Sequence, residues 1–398
     1  MNKNQKSKEI LKRAVAVIMS LMMLFSCLSI FAIAKNEQGK PADMPVEVRA
    51  KAAILMDAST GKVLMKMNEH EKLFPASVTK IMTLLLVAEA IDAEKISLSD
   101  KVTTSANSAS KGGSQIWLKE GEIMTVDELL KATAIYSAND ACNALGEHIS
   151  GSEEAFIALC NERAKELGMK DTHFDNCTGL DDTTDTHLTS AYDIALMSRE
   201  LVKHEIILNY TTIWMDSLRG GDTELVNTNK LVRFYQGATG LKTGTTSKAG
   251  CCLAATALRD GTHLVAVVMG SSNSDDRFNG AKAMLNWGFS NYETITPEID
   301  KSLITKVNVI KGVEEKITPA LPDILPILIL RGRKDDLEQT INMAVDVKAP
   351  VEKGQKLGSV EFSLDGEIVG EYVLTAPNSI AKLTFGVVLR RMLASLCG

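Results

Sequence analysis

The period of the apolar positions changes repeatedly along this chain, and each change predicts an element. Residues 52–56 and 62–65 are short strand-like runs joined by Asp57-Ala58-Ser59-Thr60-Gly61, which predicts a hairpin. Pro75 then opens a helix in which 81–91 is apolar on nearly every face, so it should be buried on all sides. Helical spacing recurs over 126–149, 153–167 and 190–202, with Gly168 closing the second of these. Strand-like runs return after Lys230. The segments 239–245, 252–258 and 263–269 predict consecutive antiparallel strands, with Arg259-Asp260-Gly261-Thr262 as a turn, and 281–289 predicts a closing helix. This order implies an α/β (α+β) fold: a mainly antiparallel sheet flanked by helices, joined to a helical lobe.

The pattern changes again near Asn291. Strand-like runs at 304–310, 341–347, 358–364 and 367–374, with Asp365-Gly366 as a hairpin turn and 353–356 as another, predict a small all-β domain over 300–376. The tail, 377–398, is apolar with Lys382, Arg390 and Arg391, which do not gather on one helical face. It reads as a membrane-surface helix or as a packing helix.

The N-terminus carries Lys3, Lys6, Lys8, Lys12 and Arg13, then an uncharged run from Ala14 to Ala34 ending in Ala32-Ile33-Ala34. This is the form of an export signal over 1–34, cleaved after Ala34, followed by a polar linker over 35–48; an uncleaved anchor is the alternative. The segment has five basic residues and one acidic one, so removing it takes the formal charge from −6 to −10. An acidic body argues against nucleic acid as a partner. The cysteines beyond the signal form neither a CxxC nor a disulfide framework. They are expected to be buried free thiols, with a Cys160–Cys177 bridge as the alternative. The histidines show no HExxH or Cys/His cluster, so neither metal nor cofactor is expected.

Three short motifs carry chemistry between 49 and 292. Ser77 and Lys80 are i and i+3 in Ser77-Val78-Thr79-Lys80, so on a helix they share a face. A serine hydroxyl needs a base to take its proton. A buried lysine with a second cation nearby is kept neutral and can serve; Lys242 is a candidate for that cation. Ser137-Ala138-Asn139 suits a loop in which both polar side chains point into a cleft. Ser137 would relay a proton to a leaving amine, and Asn139 would orient Lys80 and hold substrate backbone. Lys242-Thr243-Gly244 falls on a strand, where Gly244 would let a substrate backbone lie close as an added strand. Thr243 and Thr245 lie on one side of that strand and would bind a terminal carboxylate. The backbone N–H groups of Ser77 and Thr245 would form an oxyanion hole.

Together the motifs resemble those of the penicillin-binding serine acyl-transferases. The wider text resembles the low-molecular-mass D-alanyl-D-alanine carboxypeptidases, through Pro75-Ala76-Ser77-Val78-Thr79-Lys80-Ile81-Met82-Thr83, Gly113-Ser114-Gln115, Ser137-Ala138-Asn139-Asp140-Ala141, Thr189-Ser190-Ala191-Tyr192-Asp193, Asn227-Thr228-Asn229 and Gly240-Leu241-Lys242-Thr243-Gly244. The resemblance implies that Ser77 is acylated by a peptidoglycan stem pentapeptide, releases the last D-Ala and is then hydrolysed. It implies that β-lactams acylate the same serine, that Arg277 helps bind the substrate carboxylate, that Asp193 lies near the site or orients a helix, and that the tail associates with the membrane at its outer face. Ala138 stands where many relatives have Gly, and Thr245 where some have His. A class A β-lactamase would need a glutamate some 36 residues past the second motif, and Asp171-Thr172-His173-Phe174-Asp175-Asn176 has none. Transpeptidation or endopeptidase action through the same acyl-enzyme, and a non-catalytic wall-binding protein, are the remaining alternatives.

Overall fold

The structure, a computed structural model, describes residues 44–397. Its centre is a five-stranded antiparallel sheet built from β1 (Ala52–Asp57), β2 (Val63–Met67), β3 (Ala238–Thr246), β4 (Gly250–Arg259) and β5 (Thr262–Ser271), in the order β2-β1-β5-β4-β3. The predicted turn between β4 and β5 has Asp260 at φ +48° and Gly261 at φ +81°, the pair of left-handed residues that a tight hairpin of this twist requires.

Both faces of the sheet are covered. Ile54, Met56, Val265, Val267 and Met269 belong to one apolar cluster with Leu84, Leu85 and Leu145 of the helical lobe. The alternate residues Leu55 and Leu264 pack instead against Gly288 of the long helix Ser274–Asn291, where a Cβ would fall 2.6 Å from Leu264. A sheet buried on both faces explains why β1 and β5 are apolar at nearly every position rather than at alternate ones.

Helix α1 (Lys80–Asp92) is buried along its first nine residues, as its lack of a polar face predicts. The run expected as one helix over 126–149 is two helices. Helix α2 (Val126–Lys131), which a reciprocal Thr125–Glu128 capping box starts, loosens into a π turn over Ala132–Tyr136. Ser137 then turns left-handed at φ +67°, and α3 (Asn139–Ser150) begins. The helix is thus broken where the second motif lies, and π turns of this kind are frequent at functional sites. Helix α4 (Glu153–Glu166) follows, and α5 (Ala191–Leu201) lies against β5 and β1.

Beyond the long helix come short sheets. Tyr292–Ile295 pairs with Ile327–Leu330, Val307–Ile310 pairs with Lys316–Ile317 and Asp346–Lys348, and Glu338–Met343, Lys356–Leu364 and Glu367–Thr375 form a meander around two small apolar clusters. The expected Asp365-Gly366 turn joins the last two strands. The chain ends in the helix Phe385–Cys397, with Phe385, Leu389, Met392 and Leu393 exposed. Among the described residues no helix is long and apolar enough to cross a membrane. The export signal and cleavage site expected over 1–34 lie outside the described residues.

Candidate active site

Ser77 sits in one 3-10 turn, Ala76–Thr79, that runs directly into α1. Ala76 has φ +48°. A left-handed alanine costs about 1–2 kcal/mol, so neighbours must hold it. Thr79 Oγ1 donates to Ala76 O at 2.9 Å, and Gly179 lies so close that a Cβ there would fall 1.8 Å from that oxygen. Thr79 Oγ1 also meets His187 Nε2 at 2.8 Å, while the backbone N–H of Asp175 donates to His187 Nδ1 at 3.0 Å. A backbone N–H can only donate, so Nδ1 is the acceptor and the ring proton sits on Nε2. It donates to Thr79, whose own hydrogen is then free for Ala76 O. Burial pushes the His187 pKa down to about 4 and so preserves this arrangement at neutral pH.

Lys80 is fully buried, and its Nζ lies 2.9 Å from Ser77 Oγ, 2.5 Å from Asn139 Oδ1 and 2.9 Å from Thr178 O. The Asn139 amide cannot be turned round, because its Nδ2 donates to Gly112 O at 2.6 Å. Asn139 Oδ1 and Thr178 O are acceptors only. They take the two N–H bonds of a neutral amine, which leaves the nitrogen lone pair for the Ser77 hydroxyl. Burial lowers the Lys80 pKa to about 8, against the pull of two buried thiols, Cys142 and Cys177, and of Asp140. The geometry is therefore that of a serine hydroxyl facing a lysine that readily becomes a base.

Lys242 on β3 is also fully buried, and its pKa is held well below the usual lysine range, first by burial and then by the charge of Lys80. That repulsion is mutual, so it also favours the neutral form of Lys80. Thr243 Oγ1 donates to Thr228 Oγ1 at 2.8 Å, and the backbone N–H of Thr228 reaches Ile135 O, two residues before the buried Ser137. Asn229 Nδ2 holds Gly240 O at 2.9 Å. The segment 227–229 thus sews β3 to the end of the π turn.

Gly244 lies against the serine turn. A Cβ there would meet Pro75 O at 2.7 Å and Ala76 Cβ and Ser77 N at 2.9 Å. What lies close to Gly244 is the turn of the serine itself, so the glycine sets how near β3 comes to Ser77. Arg277 Nη1 donates to Gly244 O and Thr245 Oγ1, both at 2.9 Å, and to Cys252 O at 3.2 Å. It braces the strand just after Lys242. Asp193 accepts from the backbone N–H of Asp171 and from Thr172 Oγ1, each at 2.7 Å, at the start of α5. Its contacts are those of a residue fixing a loop to a helix.

The cysteines 142, 160, 177, 251 and 252 are free. Glu89, Glu200 and His204 bring their ligand-type atoms within 4.8 Å of one another near the far end of α1, but these groups are engaged by Arg163, Lys203 and Asp92. Sequence reasoning missed Thr178 O, Gly179, His187 and Thr228, although Asn227-Thr228-Asn229 stood out as a motif.

Comparison with known proteins gives a consistent result. The sequence profile of the D-alanyl-D-alanine carboxypeptidase family matches residues 36–273, and that of the penicillin-binding protein 5 C-terminal domain matches 292–382. The chain is 42% identical to the D-alanyl-D-alanine carboxypeptidase DacF of Bacillus subtilis (strain 168), over 96% of this chain and 98% of DacF. It resembles the crystal structure of penicillin-binding protein 5 from Haemophilus influenzae with a TM-score of 0.75 at 28% identity, over 85% of this chain and 99% of that one. It also resembles penicillin-binding protein D2 from Listeria monocytogenes in its ampicillin-bound form, with a TM-score of 0.56 at 30% identity, over 61% of this chain and 99% of that one.

Proposed function

The chain belongs to the D-alanyl-D-alanine carboxypeptidase family and is a serine-type carboxypeptidase, and from that premise we propose how its residues divide the work. The observation that carries the reading is the 2.9 Å Ser77–Lys80 contact, beside two acceptor-only oxygens that take N–H bonds, so that in the neutral lysine the lone pair faces the hydroxyl. Lys80 takes the Ser77 proton as Oγ attacks the carbonyl of the penultimate D-Ala of a peptidoglycan stem pentapeptide. The backbone N–H groups of Ser77 and Thr245 hold the oxyanion. Lys80 hands that proton to Ser137, which passes its own to the leaving amine; the C–N bond breaks, and D-Ala departs. Water then attacks the ester carbonyl and gives a proton to the freed Lys80, and the bond to Ser77 Oγ breaks as that proton passes to Oγ. Asn139 orients Lys80 and the substrate backbone. Lys242, Thr243 and Thr245, with Gly244 and Arg277 setting the strand, receive the terminal carboxylate.

A β-lactam enters the same path, because its strained amide presents a carbonyl to Ser77 while the leaving nitrogen stays tethered. The ampicillin-bound relative supports this. We assign residues 1–34 to an export signal, 35–48 to a linker, 49–292 to the catalytic domain, 300–376 to the β domain and 377–398 to a tail that lies on the outer face of the cytoplasmic membrane. The exposed Phe385, Leu389, Met392 and Leu393 support the last assignment.

The test is D-Ala release from diacyl-Lys-D-Ala-D-Ala by the full chain and by Ser77→Ala. Release and penicillin labelling should both vanish in the variant. Label that survives would move the nucleophile elsewhere. Penicillin labelling without release in the parent chain would favour transfer to an amine over hydrolysis. Removing 378–398 should free the protein from membranes; sedimentation with them regardless would assign the anchor to the N-terminal segment.

A further inference from the structure

Trp117 is 75% exposed and holds φ +59°. A bulky side chain in the left-handed region is a steric outlier that persists only where its surroundings over-determine it. The surroundings here are specific. The buried carboxylate of Asp140 accepts the backbone N–H groups on either side of the tryptophan, from Ile116 at 3.1 and 3.2 Å and from Leu118 at 3.0 Å. The side chains of Ile116 and Leu118 are buried, which forces residue 117 outward. Arg219 closes the arrangement: Nη1 donates to Ile116 O and Thr223 Oγ1, and Nε to Glu122 Oε1, at 2.8–2.9 Å. The indole is therefore presented to solvent on a braced backbone beside an open trough of about 640 Å³ lined also by Lys119, Glu122, Arg219 and Thr223.

The loop that forms the trough also braces the serine site. Asp140 follows Asn139 in sequence, and the loop that carries Trp117 gives Gly112 O and Ser114 O to the Asn139 amide and backbone N–H. A ligand on the trough would lie beside the non-reacting part of a substrate in the cleft. Its chemistry follows from the lining. Glu122 and Arg219 pair with each other, and Lys119 is matched by Glu120 in the lining, so the wall offers hydrogen bonds without a dominant charge. The one large apolar surface is a flat ring with few rotatable bonds on a braced backbone, which binds at low entropic cost. This suits a neutral, hydroxyl-rich ligand that lays a C–H face on the indole and bonds to the polar rim. It suits a lipid tail, an anionic polymer or an apolar protein face poorly.

We propose that Trp117, Arg219 and Thr223 form a saccharide subsite that takes the glycan strand from which the stem peptide hangs. The proposal rests on the carboxypeptidase reading for the identity of the polymer. Its readout is the ratio of kcat/KM on polymeric peptidoglycan to kcat/KM on diacyl-Lys-D-Ala-D-Ala. Trp117→Ala should lower that ratio about tenfold, the scale of one lost aromatic contact, and Trp117→Phe should restore most of it. A peptide-free oligosaccharide of the wall glycan should quench indole fluorescence in the parent chain, and the quench should vanish in Trp117→Ala. A ratio within twofold of the parent, or a quench that persists in the variant, overturns the subsite. Equal loss on both substrates overturns it too, and makes Trp117 a brace for the Asn139 loop. If the parent chain releases no D-Ala from either substrate, the carboxypeptidase reading fails, and the quench alone still decides whether the trough binds saccharide.

Discussion

Gly179→Ala is the substitution that most directly probes how Ser77 is held. Two separate costs are predicted. Gly179 has φ +84°, where any side chain is strained; for alanine this costs about 1–2 kcal/mol. The second cost is steric. The new Cβ would lie 1.8 Å from Ala76 O, whereas real Cβ contacts essentially never fall below 3.0 Å, so backbone must move by at least 1.2 Å. Either the Ala76–Ser77 turn moves or the strand of loop carrying Thr178 O moves, and both hold the Ser77–Lys80 contact. Overpacking of this kind adds about 1–3 kcal/mol of instability, and a reacting group displaced by about 1 Å loses about 100-fold in rate. Gly168 provides a matched control. Its φ is +77°, and nothing lies within 4 Å of its would-be Cβ. Gly168→Ala should share the conformational cost and none of the displacement. The assay is the second-order rate of acylation by a fluorescent penicillin, with thermal unfolding measured alongside. Gly179→Ala should acylate about 100-fold more slowly, and Gly168→Ala within twofold of the parent. Equal acylation by the two variants would refute the claim that Gly179 sets the geometry of the serine turn.

Two pH dependences follow from the buried groups. With its pKa lowered to about 8 and its neutral form acting as base, Lys80 predicts that acylation rises with pH through a midpoint near 8 and levels off above about 9, standing at about a tenth of its plateau at pH 7; a flat profile from pH 6 to 9 would remove Lys80 from that role. Burial holds His187 and His263 at about 4, below the ordinary 6.5. Between those values the unfolded chain binds protons that the folded one refuses, so stability is full above about pH 6.5 and falls as pH drops toward 4, by up to about 3 kcal/mol per histidine. Urea unfolding at pH 7.5 and 4.5 checks this, and a His187→Gln, His263→Gln double variant that keeps the whole pH slope would assign the loss to other groups.

The parts of the site that were legible in the sequence are those whose chemistry is local. Ser77 and Lys80 are one helical turn apart, and the apolar run after them has no polar face, so both the contact and the burial that lowers the lysine pKa could be read from adjacent residues. The break at Ser137 was less legible. Apolar spacing continues through 126–149, and only the choice of Ser137 and Asn139 as cleft residues hinted that the helix must open there. The supports around the serine were not legible at all. Thr79 and His187 are 108 residues apart, and Lys80 and Thr178 are 98 apart. No local pattern reports such contacts. Nor does any local pattern report that Pro75, Ala76 and Ser77 crowd the position of Gly244. The hairpin strands Met215–Leu218 and Thr223–Val226 escaped notice because they are short and mostly exposed.

The two buried lysines leave the site short of negative charge. Among the described residues neither forms an ion pair; Lys80 bonds to a hydroxyl and two uncharged oxygens, and Lys242 only to Thr243 O at 3.4 Å. Asp140, the carboxylate that pulls on Lys80, uses its oxygens on the N–H groups of Ile116, Leu118 and Ala141. On the proposed function the missing anion arrives with the substrate, whose terminal carboxylate settles beside Lys242. That favours the charged form of Lys242, and the charged Lys242 in turn favours the neutral, basic form of Lys80. Substrate binding would then arm the base that attacks it. A peptide ending in D-alaninamide carries the same scissile bond without the charge. The midpoint of its acylation pH profile should lie above that of the free acid, and Lys242→Met should erase the difference between the two. Equal midpoints in the parent chain would show that the carboxylate is recognised for binding alone and plays no part in setting the protonation of Lys80.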